Sequence, residues 1–444
     1  MQNTGKLHWK TRLGYGLGDY SLNIFWQGTA LFLFYFLTEI SGFNPYEAGL
    51  LISLSILWDL ITDPLTGYFA ERIKSRSPYL TLIRFAALPL CISFALLFSM
   101  PHIVPPENNS FAICLAALLL FRSFYTLVSI PYASLTIQLT NCTHERNKLA
   151  GVRMYCGFLG GLSVIAILSA AQTSFNGPNS FTLAVIICSA IALTVFTVFY
   201  RSTKNQLQEI PVSRHHQLPV KQILIALKGN KAALILISMI AGVTFGLSFI
   251  MATILHYFDH AVQAPAYAGT AQAGFIGIAL IAIPFWSWAN GQFGKKRTWV
   301  VGTAITCLGL MLLASSTSSW VAVTAYILSG FGSSLFGISI WTMIPDTVEY
   351  GEHETGIRLE SSIVGIVSAF QKLTIAIASF TLGLMMEWAS LPTSGLASPE
   401  SVGKLTIIVA LVPSLTIILS AFIAQFYPAY EDEHQEIANQ LSQP

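Results

Sequence analysis

Residues 58–64 read WDLITDP, in the middle of an apolar run, EAGLLISLSILWDLITDPLTGYFAERI, that covers residues 47–73. Asp59 and Asp63 stand where their neighbours leave no place for water. A carboxylate at the middle of a hydrocarbon-spanning helix costs about 2.5–3.5 kcal/mol on insertion scales, so it is a functional candidate by default. Whether this helix crosses a bilayer is decided by the rest of the chain.

Of the 444 residues, 54% are hydrophobic and only 10% are charged, whereas soluble domains carry about a quarter charged residues. Such a chain cannot cover itself with polar surface, and it reads as an all-α membrane protein. Apolar runs long enough to cross a core of about 30 Å recur twelve times. They lie at roughly 13–40, 46–71, 79–100, 110–139, 150–171, 180–200, 232–257, 266–290, 298–316, 320–345, 361–388 and 404–426. The longest break, residues 200–231, divides them six and six. This predicts an N-terminal six-helix bundle over 1–199, a cytoplasmic linker over 200–231, a C-terminal six-helix bundle over 232–428 and a cytoplasmic tail over 429–444. A weak echo links the halves: GYFAERIKSR follows span 2 and GQFGKKRTW follows span 8. Related halves around a central site are the usual construction of secondary transporters.

Basic residues orient the chain. Lys6, Lys10 and Arg12 precede span 1, and further clusters at Arg72–Arg76, Arg146 and Lys148, Arg201–Lys231 and Lys295–Arg297 fall on every second connection. The opposite connections hold almost none, Lys404 being the exception. By the positive-inside rule both termini face the cytoplasm, of the inner membrane in a bacterium. The net charge of +2 is therefore a topology signal, and no nucleic-acid partner is expected. No cleavable signal peptide is expected at the N-terminus. The six cysteines form no CxxC pair and read as reduced structural thiols; no cofactor motif is present.

Asp59 and Asp63 are four residues apart, so they share one helix face. Pro64 lacks an N–H and frees the Leu60 carbonyl. Two carboxylates, the Thr62 hydroxyl and that carbonyl are hard oxygen ligands, suited to Na⁺ or to a proton; the plainer alternative is a structural ion pair with a neighbouring helix. Span 4, LLLFRSFYTLVSIPYASL, sets Arg122, Thr126 and Ser129 in one stripe and frees the Leu127 carbonyl at Pro131. Arg122 is either the counter-ion of the aspartates or a donor to an anionic or hydroxyl-rich solute. Lys372 lies at mid-depth in span 11, and Asn23 and Gln27 lie one turn apart on span 1 beside Trp26. Arg153, near one end of span 5, and Arg84 can instead snorkel to the interface. Trp286 and Trp288 serve equally as packing residues or sugar platforms. After span 10 comes PDTVEYGEHETGIRLE, with Asp346, Glu349, Glu352, Arg358 and Glu360. Facing Arg76 and Arg146 of the other half, this acidic loop is expected to form a cytoplasmic gate of salt bridges; otherwise it is a solvated loop.

YGLGDYSLN on span 1, WDLITDP on span 2, IPYASL on span 4, EYGEHETGIRLE after span 10 and FQK on span 11 resemble the glycoside–pentoside–hexuronide:cation symporters. The resemblance runs from about residue 11 to 425 and implies the major-facilitator fold, working by alternating access. It implies that Asp59 and Asp63 bind the coupling cation, Na⁺ or H⁺, with Thr62 and Thr126 as further ligands. Arg153 and Lys372 match basic residues near the sugar site of the family's melibiose carrier. Asn23 and Ser129 stand where that carrier has aspartates, and Ala133 where it has a tryptophan. Two acceptor carboxylates are thus neutral here while Arg122 adds a positive charge, which favours an acidic sugar such as a uronide. The substrate-binding set is then Asn23, Gln27, Arg122, Ser129, Arg153 and Lys372, in a carrier expected to be a monomer in the lipid bilayer. Two other classes share features of this sequence. GLGD at residues 16–19 matches an intramembrane aspartyl protease motif, but the Tyr–Asp pair of that class is missing. A lipid carrier of the same fold is opposed by the charged stripes at mid-depth, and an exporter of the same fold is separated from an importer by the direction of solute flux.

Overall fold

The computed structural model describes residues 8–70, 72–73, 77–103, 110–139, 143–174, 178–204, 227–356, 360–392 and 396–428. Among these, every regular element is helical. In chain order the long helices are α1 (Trp9–Tyr35, continued by a π turn Phe36–Ile40), α2 (Pro45–Ala70), α3 (Pro78–Leu97), α4 (Phe111–Leu139), α5 (Thr143–Ser174) and α6 (Pro178–Thr203). They are followed by α7 (Lys231–Ala261), α8 (Pro265–Phe293), α9 (Lys295–Ser315), α10 (Ser319–Thr355), α11 (Glu360–Ala389) and α12 (Pro399–Phe426).

Eleven of these, α2 to α12, are long and apolar enough to cross a membrane. α1 is equally long, but Tyr15, Asp19, Asn23 and Gln27 recur at every fourth position and lower its hydropathy. A polar stripe on an otherwise apolar rod marks a helix that faces other helices or water, not lipid. With α1 included, the twelve expected helices are present.

The chain divides into two compact units. One comprises Met1–Val212 with the stretch Phe380–Glu387 of α11; the other comprises Ser213–Ser379 and Trp388–Pro444. In the first unit α1 lies close along α5 because glycines remove the side chains between them. A Cβ on Gly160 would press on the Tyr20 carbonyl, 3.0 Å from its carbon, and one on Gly16 would lie 2.8 Å from Val152. The Tyr20 hydroxyl donates to Ser163 across the same seam at 2.8 Å. Phe25, Phe94, Phe121 and Phe196 fill the space between α1, α3, α4 and α6, with Phe25 edge-on to Phe94 at 5.0 Å. Backbone approach of this kind is how helices associate in lipid, where hydrophobic burial supplies no drive between them.

The second unit uses the same device. Gly309 sits against the Ser329 amide and the Ala325 carbonyl, and Gly332 against Thr306, so α9 and α10 interlock. Some buried polar groups there are bonded within the unit. The Trp286 indole donates to the Phe331 carbonyl at 2.8 Å, and the Asn290 amide donates to Ser339 at 3.1 Å while accepting from Thr298. Trp286 is therefore a packing residue; Trp288 is exposed.

Gly160→Ala is expected to lower the unfolding midpoint in detergent, at a cost of about 1–3 kcal/mol for overpacking a tight seam. Gly151→Ala, on the same helix with open space around it, is expected to leave the midpoint unchanged or raise it slightly. Equal loss in both variants would remove the seam as the reason for Gly160.

Candidate functional site

The first unit gathers the buried charges on two pairs of neighbouring helices. On α2 and α4, Asp59 is 1% exposed and Arg122 is 5% exposed. Arg122 Nη1 faces Asp59 Oδ2 at 3.5 Å. One turn on, the Thr126 hydroxyl donates to Asp63 Oδ1 at 3.0 Å. Both helices continue through a proline, Pro64 and Pro131. The contacts form two rungs with the same four-residue step on each helix, which requires α2 and α4 to run in the same direction there. Thr62 bonds back to the Trp58 carbonyl at 3.2 Å, and the Trp58 indole donates to Ser123 at 2.9 Å.

On α1 and α5 the pattern recurs. Arg153 Nη2 donates to Asp19 Oδ1 at 3.1 Å. One turn on, Asn23 lies against Gly157, and its amide donates to the Asp19 carbonyl at 2.9 Å. Arg153 therefore reaches along α1 to a carboxylate and does not snorkel. Its guanidinium also lies over the Tyr132 ring at 4.8 Å and near Tyr15 at 5.9 Å. Those two tyrosines stack at 4.9 Å, and each donates its hydroxyl to the other's carbonyl, at 3.0 and 2.9 Å. This reciprocal pair ties α1 to α4, so it also ties the two ladders together.

Between the ladders stands Tyr125, whose phenol lies within electrostatic reach of Asp19, Asp59, Asp63 and Arg122. Its ring stacks near Trp26 at 6.2 Å. The two ladders together hold three carboxylates, Asp19, Asp59 and Asp63, and two guanidiniums, Arg122 and Arg153. Gln27 is half-buried, with a buried Oε1 that finds no donor. Ser129 is half-buried near Thr126 on α4.

Asp19 and Tyr125 were absent from the expected set. Asp19 obeys the rule that singled out Asp59, a lone carboxylate in a long helix; its place in GLGD drew the reading toward the protease motif. Here it is paired with an arginine instead. Tyr125 carries no sequence signal, being one aromatic among many.

Lys372 is half-buried on α11, in the second unit. Of the expected gate residues, Arg76 and Arg358 lie outside the described residues, as do the side chains of Arg146 and Glu360. Glu349 and Glu352 are half-buried on α10. Asp346 forms an ion pair with Lys295 of its own unit, at 2.5 Å. In the first unit Glu145 accepts three bonds from Arg12 at 2.7–3.0 Å and faces Lys148 at 3.5 Å. Arg84 leans on Tyr200, 5.4 Å from the ring.

Twelve long helices in two compact units, with ion pairs between neighbouring spans, are the frame of the chain. The chain belongs to the MFS/sugar transport protein family, whose profile matches residues 14–431. An uncharacterized symporter of Bacillus subtilis, YnaJ, is 25% identical over 99% of this chain and 96% of its own length. A glucuronide carrier protein homolog of Escherichia coli is 24% identical over 98% of this chain and 96% of its own. The crystal structure of a D-xylose-proton symporter superposes with a TM-score of 0.67 at 15% identity, over 95% of this chain and 97% of that one. The last similarity establishes the fold, the major-facilitator arrangement that the motifs implied. Membership in the family also removes the protease reading of GLGD.

Asp59→Asn alone is expected to destabilise the protein by about 3–5 kcal/mol, because it strands a buried guanidinium. Asp59→Asn combined with Arg122→Met, which removes both charges, is expected to recover most of that loss in unfolding midpoint. A double variant no more stable than the single one would mean that Arg122 is not held by Asp59.

Proposed function

We propose that this protein is a symporter of the cytoplasmic membrane, with both termini inside, that imports a sugar or glycoside together with one monovalent cation, Na⁺ or H⁺. The observation that carries this reading is the α2–α4 ladder, where Asp59 and Asp63 lie one turn apart within the span beside the Thr126 hydroxyl. Oxygen ligands so placed suit one monovalent cation. Asp59 and Asp63, with the Thr62 and Thr126 hydroxyls beside them, are the residues that receive it.

The solute is held by the α1–α5 ladder and its surroundings: Asn23, Gln27 and Ser129 as neutral hydrogen-bonding groups, Trp26 and Tyr125 as flat surfaces, and Arg153 as the charged anchor. Lys372 is the further basic residue proposed for the solute. Neutral acceptors beside two arginines favour an acidic sugar, such as a uronide, over a neutral one. The similarity to the glucuronide carrier protein homolog supports the same class. Binding of the cation lowers the electrostatic hold of the carboxylates on their arginines, and solute binding uses the donors so released. The acidic residues after α10, Asp346, Glu349, Glu352 and Glu360, with Arg358, act with Arg76 and Arg146 as a cytoplasmic gate. A potential of 100 mV supplies about 2.3 kcal/mol per charge, enough for roughly fifty-fold accumulation with one cation.

In membrane vesicles with an imposed gradient, a labelled glucuronide is expected to accumulate and to be competed by other uronides more strongly than by neutral glycosides. Asp63→Asn is expected to abolish accumulation while binding of the sugar persists. Accumulation by the Asp63→Asn variant would sink the cation assignment, and competition by neutral glycosides alone would sink the acidic-sugar one.

A further inference from the structure

We infer that the Arg122 guanidinium stands where a sodium ion would stand between the two aspartates, so that this carrier rejects Na⁺ and Arg122 sets its cation specificity. The inference rests on the proposal that Asp59 and Asp63 form the cation site.

The geometry argues as follows. A sodium ion needs a shell of oxygen ligands and strong negative charge, which a pair of carboxylates one helical turn apart offers only if both are available to it. Here Asp59 faces Arg122 at 3.5 Å, and both side chains are all but closed to solvent. Among the described residues Arg122 is ion-paired with Asp59, and its buried Nε finds no acceptor there. Sodium drawn to Asp59 would either sit within a few ångströms of a fixed positive charge or displace it and strand the guanidinium. At a separation of about 5 Å in a medium of effective dielectric 20, repulsion between two unit charges weakens binding by roughly a hundredfold or more. Among the described residues no three His, Cys, Asp or Glu side chains come together around one point to offset this. Arg122 is therefore a resident cation beside Asp59, and sodium would have to share that carboxylate with it. A proton, which needs a single carboxylate oxygen, is not subject to this exclusion.

Cation binding by the purified full-length chain tests this without any solute. Unfolding midpoints are measured in sodium chloride and in choline chloride at equal ionic strength, for the wild type, Arg122→Lys and Arg122→Gln. The wild type and Arg122→Lys are expected to unfold at the same temperature in both salts. Arg122→Gln is expected to gain a saturable, sodium-specific rise in midpoint that Asp63→Asn abolishes, with an apparent affinity at least tenfold above any wild-type response. A saturable sodium response in the wild type overturns the inference, and this arm decides even if Arg122→Gln does not fold. A folded Arg122→Gln variant that ignores sodium overturns it too. If no glycoside accumulates in vesicles under any gradient, the transport proposal fails, and the salt comparison still decides the role of Arg122.

Discussion

A charge that cannot reach water must meet an opposite charge, and in this chain that requirement sets the register of the first unit. Asp59 and Arg122 are both buried, and their pairing decides which turn of α2 lies beside which turn of α4. The equal four-residue step then brings Thr126 to Asp63 without further choice. α1 and α5 obey the same rule through Asp19 and Arg153. Glycine at 157 and 160 gives the backbones the proximity such a bond needs. Buried ion pairs seldom add net stability, because desolvation offsets their attraction. Their value here is positional: they hold ionisable groups at mid-depth in a form that an arriving ion can perturb.

Much of this was legible from the residues alone. Twelve apolar runs fixed the number of helices, since nothing but a helix or closed barrel satisfies its backbone in lipid. Asp59 and Asp63 were legible because carboxylates beside a proline have no ordinary place in such a run. The pairing of Arg122 was legible only as one of two alternatives, because spacing on one helix does not say which neighbour it faces. Asp19 is harder to single out, because it lies early in a helix rich in polar residues and its partner Arg153 stands 134 residues away on another helix. Tyr125 escaped for a physical reason: a phenol is unexceptional among sixteen tyrosines, and only the meeting of α1, α2 and α4 gives it its setting. The loop charges were hardest to place, since exposed ion pairs are weakly held and their partners are not coded by periodicity.

Within the site the two ladders differ in kind. The α2–α4 ladder is closed, its arginine engaged with one carboxylate and sealed from solvent. The α1–α5 ladder is more open: Arg153 is only partly covered and shares its charge between Asp19 and two aromatic faces. An ion site and a solute site call for that difference, the first needing dehydration and the second a route of entry. The tyrosine pair between Tyr15 and Tyr132 joins the two, so displacement of one ladder is felt at the other through two hydrogen bonds instead of through a chain of soft contacts.

The parallel course of α2 and α4 has a mechanical corollary. Sliding one helix along the other by a fraction of a turn would leave a carboxylate facing apolar side chains, whereas sliding by a whole turn, about 5.4 Å, would set Arg122 opposite Asp63. Shear between these helices is thus quantised, with nothing comfortable in between. A bundle toothed in this way resists creep and turns as one piece, like a cogged wheel that either holds its mesh or jumps a tooth.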